Sequence, residues 1–320
     1  MAEGLTEAEK ARLERMARTR QNIRGRRQPA VMPSKLARTS AFTPRRHGLS
    51  TDAKFVRVYV VRPHAVVEVC GRELGTRHRD ALMALFRLRA KRFETVGADG
   101  KLGGAVYRTD TTWREILLAS GVTAHVNNMM TALRVFEELR SVTVRVFMGT
   151  FDQYEAAVAK GRLASAGWSD GIIGRIQWAG VTLDAEVSVT YGEWVKRTFE
   201  EKHLVSVGAD VYFRMKGDFA RAWWPYLDSQ PAHTWISLET LAELVGRDYA
   251  AEDSKRRARF REDVASAFGE MERVGGLGSW RMEARGPGRT KSYRVHYTHG
   301  LPRAAEQGTL ELEQPAAAAE

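Results

Sequence analysis

Residues 254–276, SKRRARFREDVASAFGEMERVGG, constrain the fold of this chain more than any other stretch. Phe260, Val264, Phe268 and Met271 recur at i, i+4, i+8 and i+11, which puts them on one stripe of a helix. Gly275-Gly276 closes that helix, and Ser254 stands where an N-cap is needed. Its first two turns carry Lys255, Arg256, Arg257, Arg259 and Arg261. Cations at a helix N-terminus oppose the macrodipole, and stability alone would place acids there. The arrangement makes physical sense against a polyanion, since Arg grips phosphate and reads guanine with a bidentate fork. A solvated charge run is the competing explanation.

Upstream, Ser237 caps a short apolar helix, LETLAELVG, and RDYAAED makes a turn. Downstream, GSWRMEARG and KSYRVHY alternate as two strands around PGRT. A short helix, a turn, a longer helix and a basic hairpin make the helix-turn-helix plan with a wing. Arg285, Arg289, Thr290, Lys291 and Arg294 lie on or beside the wing tip. There they either follow phosphates into a groove or simply keep a hairpin edge soluble.

The same plan stands earlier in the chain. KFVRVYV (54–60) and HAVVEVC (64–70) read as paired strands, and a helix is expected from Thr76 to about Phe93. Thr111 or Thr112 can cap WREILLASG, which Gly121 ends, and Glu115, three residues after Thr112, fits a capping box. Thr123 is placed to cap a longer helix, in which Met129, Leu133, Phe136 and Leu139 make the buried stripe. VTVRVFMG follows as the attached wing strand. The early face of this helix shows Thr123, His125, Asn127, Asn128 and Thr131, with Arg134 its first cation. These groups either hydrogen-bond to bases and phosphates or form a polar face or a protein interface.

The expected fold class is therefore α+β, with tandem winged-helix domains at about 51–165 and 172–300 and a basic arm before them. Within the second, Val181, Leu183, Ala185, Val187 and Val189 alternate as in a strand. Asp210–Arg214 reads as a short strand, and Pro225 is expected to limit a helix begun at Asp218. Trp223 and Trp224 are expected in core and edge packing, with aromatic stacking on bases as the alternative.

Charge is unevenly spread. The 320 residues carry 50 Lys and Arg against 39 Asp and Glu, a formal charge of +11, which suits a polyanionic partner. Residues 1–50 hold 12 of those cations and four Glu, and read as a basic, partly disordered arm with a marginal helix from Thr6 to about Thr19. The arm is either a solubilising tail or a contact for nucleic acid or protein. Residues 301–320 read as a flexible tail. The single cysteine, Cys70, excludes an internal disulfide and a thiolate-rich zinc site. No apolar run reaches the length of a membrane span, and the N-terminus lacks a signal-peptide core, so a cytoplasmic protein is expected. There is no GxxxxGK[ST] or GxSxG string, and His296 and His299, the one close histidine pair, have no third ligand beside them. No catalytic residue, metal or cofactor is expected.

Three stretches resemble a known family: KLARTSAFTPRR (35–46), VVEVCGREL (66–74) with the helix after it, and AEDSKRRARFREDVASAFGEMERVGG (251–276). They are similar to plasmid replication initiators of the two-winged-helix type, most closely the TrfA-like initiators of broad-host-range plasmids. The likeness spans roughly residues 33–298 and is sharpest at 251–276. It implies a bacterial, non-enzymatic protein that binds direct repeats (iterons) at a plasmid origin as a monomer. It also implies that the protein helps open an A·T-rich region and brings in the host replicative helicase or its loader. Dimers of such proteins are less active and limit copy number. By the same resemblance Arg256, Arg257, Arg259 and Arg261, with Arg289 and Lys291, would be the main base readers. The first winged helix would supply phosphate contacts and the dimer surface. One departure is that residues 1–50 contain no Gln-x-x-Leu-x-Leu-Phe string of the clamp-binding kind. Two other readings are a tandem winged-helix transcriptional repressor and an origin-nicking enzyme. The second lacks the His-hydrophobe-His segment such enzymes use.

Overall fold

The chain enters on strand β1 (Ala30–Pro33) and one helical turn, α1 (Ser34–Ala37). Hairpin β2 (Val56–Val61)–β3 (Ala65–Cys70), helix α2 (Thr76–Arg87) and hairpin β4 (Lys91–Val96)–β5 (Leu102–Thr112) follow. Next come helices α3 (Trp113–Ala119) and α4 (Val126–Arg140), strand β6 (Thr143–Met148), helix α5 (Phe151–Ala159) and strand β7 (Gly167–Gly171). Hairpin β8 (Ile173–Trp178)–β9 (Glu186–Tyr191), helix α6 (Glu193–Glu200) and strand β10 (Leu204–Val207) lead on to α7 (Ala209–Arg214) and α8 (Asp218–Asp228). The chain then runs through β11 (Trp235–Ser237), α9 (Leu238–Glu243), α10 (Ser254–Arg273), β12 (Leu277–Arg285) and β13 (Ser292–His299). These elements belong to a computed structural model that describes residues 29–38, 41–61, 65–96, 102–161, 167–286 and 292–300. The expected Thr6 helix, the C-terminal tail and the wing-tip residues Arg289, Thr290 and Lys291 lie outside the described residues.

Two winged-helix units emerge from the strand order. In the second, α8 precedes β11, α9 and α10, and the sheet runs β11-β13-β12, all antiparallel. In the first, α2 precedes β5, α3 and α4, and the matching strands run β5-β9-β8. In each unit a strand runs straight into a capped short helix. The Thr112 hydroxyl accepts from Glu115 N–H, and the Ser237 hydroxyl accepts from Thr240 N–H.

The wing of the first unit is therefore the β8–β9 hairpin and not the strand directly after α4. Strand β6 instead joins β3, in a sheet ordered β2-β3-β6-β7. That sheet needs a cover on its second face, and α5 provides it: Tyr154 packs with Val66 and Phe147, and its hydroxyl donates to the buried Glu68 carboxylate. The segment 172–191 thus belongs to the first unit and moves the expected domain boundary. Val181 is 72% exposed in the turn of this wing and the strand begins only at Glu186, although Leu183 and Ala185 already pack against the core.

Other differences are local. Helix α2 ends at Arg87, because Arg89 adopts a left-handed backbone (φ 63°) and Lys91–Val96 pairs with β5. Residues 209–214 are helical and not a strand: Tyr212 N–H donates to Gly208 O four residues back, at 3.0 Å. Residues 30–46 are no free arm. Strand β1 pairs with β10, and Met32, Leu36, Ala41 and Phe42 are buried in the main core.

That core is continuous through both units, and α2 lies at its centre. Pro225 stands inside α8, where it leaves the Arg221 carbonyl without its helical donor. Arg79 of α2 fills the gap, its Nη1 donating to Arg221 O at 3.1 Å while Nη2 donates to Phe42 O at 3.2 Å. Beside it, Asp80 accepts from Arg221 Nη1 at 2.5 Å and from the Tyr212 hydroxyl at 2.7 Å. Burial pushes the Asp80 carboxyl up, against the pull of Arg221 and the Tyr212 hydroxyl. Arg46 adds an ion pair to Asp218 at the start of α8, at 2.8 Å. Removing Asp80 would strand the Arg221 and Tyr212 donors inside the core. Asp80→Ala is expected to cost about 3–5 kcal/mol of stability, read as a lower urea midpoint.

Candidate nucleic-acid interface

Helix α10 is built as its periodicity requires. Phe260, Val264, Phe268 and Met271 are fully buried, and the Phe260 ring meets the Trp223 ring edge-on with centroids 5.9 Å apart. That stripe fixes the outward face. Lys255, Arg256 and Arg259 are exposed on it, at i, i+1 and i+4. The N-cap is Asp253 rather than Ser254. Its carboxylate accepts from Arg256 N–H at 2.8 Å and lies 3.5 Å from Arg256 Nε. One acid thus serves the helix end, while Lys255, Arg257 and Arg259 make no ion pair among the described residues.

The turn before α10 is held rigidly. Arg247 makes a bidentate pair with Glu252, at 2.7 and 3.1 Å, and its guanidinium lies 4.8 Å from the Phe260 ring centre. Asp248 accepts from Ala250 and Ala251 N–H. Neither Arg247 nor Asp253 was singled out from sequence, although the spacing of Arg247 and Glu252 across a helix-turn-helix turn is a usable signal.

Two of the expected contact residues are engaged elsewhere. Arg261 is half-buried, donates to the Tyr249 hydroxyl at 3.2 Å and stacks 4.9 Å from the Tyr293 ring centre, tying helix to wing. Arg294 lies on the outer face of the wing sheet, 4.0 Å from the Trp235 ring centre and across from Glu283. That face points away from Val295 and Tyr297, which pack inward toward α10. Arg285 is exposed near the tip, 3.7 Å from Glu283. The half-buried Arg257 has a buried Nε without a hydrogen-bond partner.

The first unit presents a different surface. His125, not Thr123, caps α4, its Nδ1 accepting from Asn127 N–H. Asn128 donates to Thr123 O at 2.8 Å and Thr131 to Asn127 O at 2.9 Å, so both groups are partly spent on their own backbone. Asn127 and Arg134 remain exposed. Beside them stand Val126 and Met130, about half exposed, with Leu118 on α3 and Val122 in the turn. Where α10 shows cations, α4 shows apolar side chains. The turn of the first wing is pinned to α3 by Arg114, which pairs with Asp184 at 2.7 and 2.9 Å.

Among the described residues no group of three or more His, Cys, Asp or Glu is arranged to hold a metal, and no helix is long and apolar enough to cross a membrane. Losing the Asp253 cap is expected to cost about 1 kcal/mol. Thermal melting of Asp253→Ala would register that loss.

No protein-family model matches the chain, and no curated protein matches its sequence. Solved structures do. Domains 2-3 of RctB (residues 155–483) align at 11% identity and a TM-score of 0.47, over 83% of this chain and 96% of that one. A second structure of RctB domains 2 and 3 gives 11% and 0.49, over 83% and 98%. The Pi initiator protein in complex with iteron DNA gives 12% and 0.45, over 86% and 98%.

Proposed function

We propose that this chain is a sequence-specific binder of double-stranded DNA that acts as a plasmid replication initiator. In this reading it binds direct repeats at an origin, promotes local opening and recruits the host replicative helicase or its loader. The observation that carries DNA binding is the exposed basic face of α10, Lys255 and Arg259, which make no ion pair among the described residues, with Arg256 beside them, on a winged helix whose wing adds Arg285. Its placement against the macrodipole is costly without an anion and favourable with one. Arg289, Thr290 and Lys291 extend that surface by sequence. The initiator class is supported by the resemblance at residues 35–46, 66–74 and 251–276.

The two units then divide the work. The second unit is the main reader. In the first, Thr123, Asn127, Asn128, Thr131 and Arg134 supply at most weak phosphate contacts, and the apolar face of α3–α4 serves protein contact, including self-association. Binding energy drives the duplex deformation, whose cost is of order 1–10 kcal/mol, with no catalytic residue or cofactor.

Footprinting on DNA flanking the gene tests this reading. Regular protections one to two turns apart are expected, and they should be lost in a Lys255→Ala/Arg259→Ala variant. That variant should bind about tenfold or more weakly, with a salt slope reduced by about 1–2. A single palindromic protection would establish the repressor reading instead, Mg²⁺-dependent cleavage of supercoiled DNA the nicking one. Absence of specific protection would sink sequence-specific binding altogether.

A further inference from the structure

We propose that Arg57, on strand β2 of the first unit, is a positioning residue for the DNA-reading helix α10 of the second. The inference rests on reading α10 as the DNA reader. Arg57 reaches across the boundary between the units. Its Nη2 donates to Val245 O at 3.2 Å and to Gly246 O at 3.3 Å, carbonyls of the turn that follows α9. Its Nη1 meets Glu73 Oε1 at 3.1 Å. Glu73 is an anchored partner: it is buried, and it also accepts from Arg45 Nη2 at 2.7 Å and Ser50 N–H at 3.1 Å.

The physical logic is that of a turn anchored from another unit. The end of α9 is closed by its own backbone, Gly246 N–H donating to Glu243 O and Arg247 N–H to Ala242 O, and the Val245 and Gly246 carbonyls beyond it take charge-assisted hydrogen bonds from the guanidinium. Arg suits the position because its planar fork serves Glu73 on one side and two carbonyls on the other. Gly246 is matched to it. Its backbone is left-handed (φ +69°), and a Cβ there would collide with the Arg57 guanidinium. From Gly246 the chain passes through the Arg247–Glu252 turn directly to Asp253, the cap of α10. Fixing Gly246 against the first unit therefore fixes where Lys255, Arg256 and Arg259 point. Arg57 itself is mostly covered and directs its donors inward, so it orients the reader without being part of it.

Full-length Arg57→Ala, Arg57→Lys, Gly246→Ala and the Arg57→Ala/Gly246→Ala double variant test this. Each is titrated with a duplex carrying the protected repeat and with a scrambled duplex. Arg57→Ala and Gly246→Ala should each lose about tenfold in affinity for the repeat and under about twofold for the scrambled duplex. The double variant should lose no more than the worse single one, because both changes break the same contact. Arg57→Lys should recover part of the loss. Equal losses on both duplexes with a salt slope lower by about 1 would make Arg57 a phosphate contact and overturn the proposal. Additive losses, or an unchanged preference for the repeat, would overturn it as well. If the wild-type protein shows no preference for the repeat, the DNA-reading function itself fails. The Arg57 contact is then decided by amide hydrogen exchange over residues 246–254. Rates about tenfold faster in Arg57→Ala, with α2 unchanged, would support it, and equal rates would sink it.

Discussion

Everything in this molecule depends on how α2 buries charge between two winged helices. Arg79 and His78 are almost completely covered, yet each polar atom that points inward meets a partner. His78 accepts from Gly75 N–H through Nδ1 and so donates through Nε2 to Glu138 at 2.8 Å, which fixes α2 to α4. Arg79 and Asp80 fix it to α8, and Arg87 pairs with Asp210 at the start of α7. A buried ion pair contributes little net stability, but it penalises any arrangement that separates its members. The relative position of the two units is thus set by polar geometry, inside an apolar core that would tolerate sliding.

Pro225 shows how closely the units are adapted. A proline inside a helix normally leaves an orphan carbonyl. Here that carbonyl is the docking point for Arg79. The defect in one unit is the acceptor for the other.

Much of the fold was readable in the sequence where the signal is local. The stripes of α4 and α10, the Thr112–Glu115 capping box and the glycine stops at Gly121, Gly246 and Gly275 are properties of a few neighbouring residues. Strand partnership is not. Nothing near Thr143–Met148 says that it pairs with β3, or that the wing of the first unit waits until residue 173. The helix at 209–214 likewise depends on Tyr212 reaching Asp80, far away in sequence. The candidate interface divides in the same way. The exposed cations Lys255, Arg256 and Arg259 follow from the phase of the Phe260 stripe. The capture of Arg261 by Tyr293 and of Arg294 by Trp235 depends on cross-element aromatics, and Arg57 carries no local mark.

The strap formed by residues 30–46 has a consequence for the order of folding. Ala30 pairs with Val207, and Arg46 with Asp218, so these contacts close only after the whole of the first unit has been made. Such long loops delay the pairing that depends on them. During synthesis Met32 emerges well before Val205, its partner across the β1–β10 pair. For that interval an apolar segment and an unpaired strand stand open beside the growing chain, which is when a nascent protein of this design most needs protection from its neighbours.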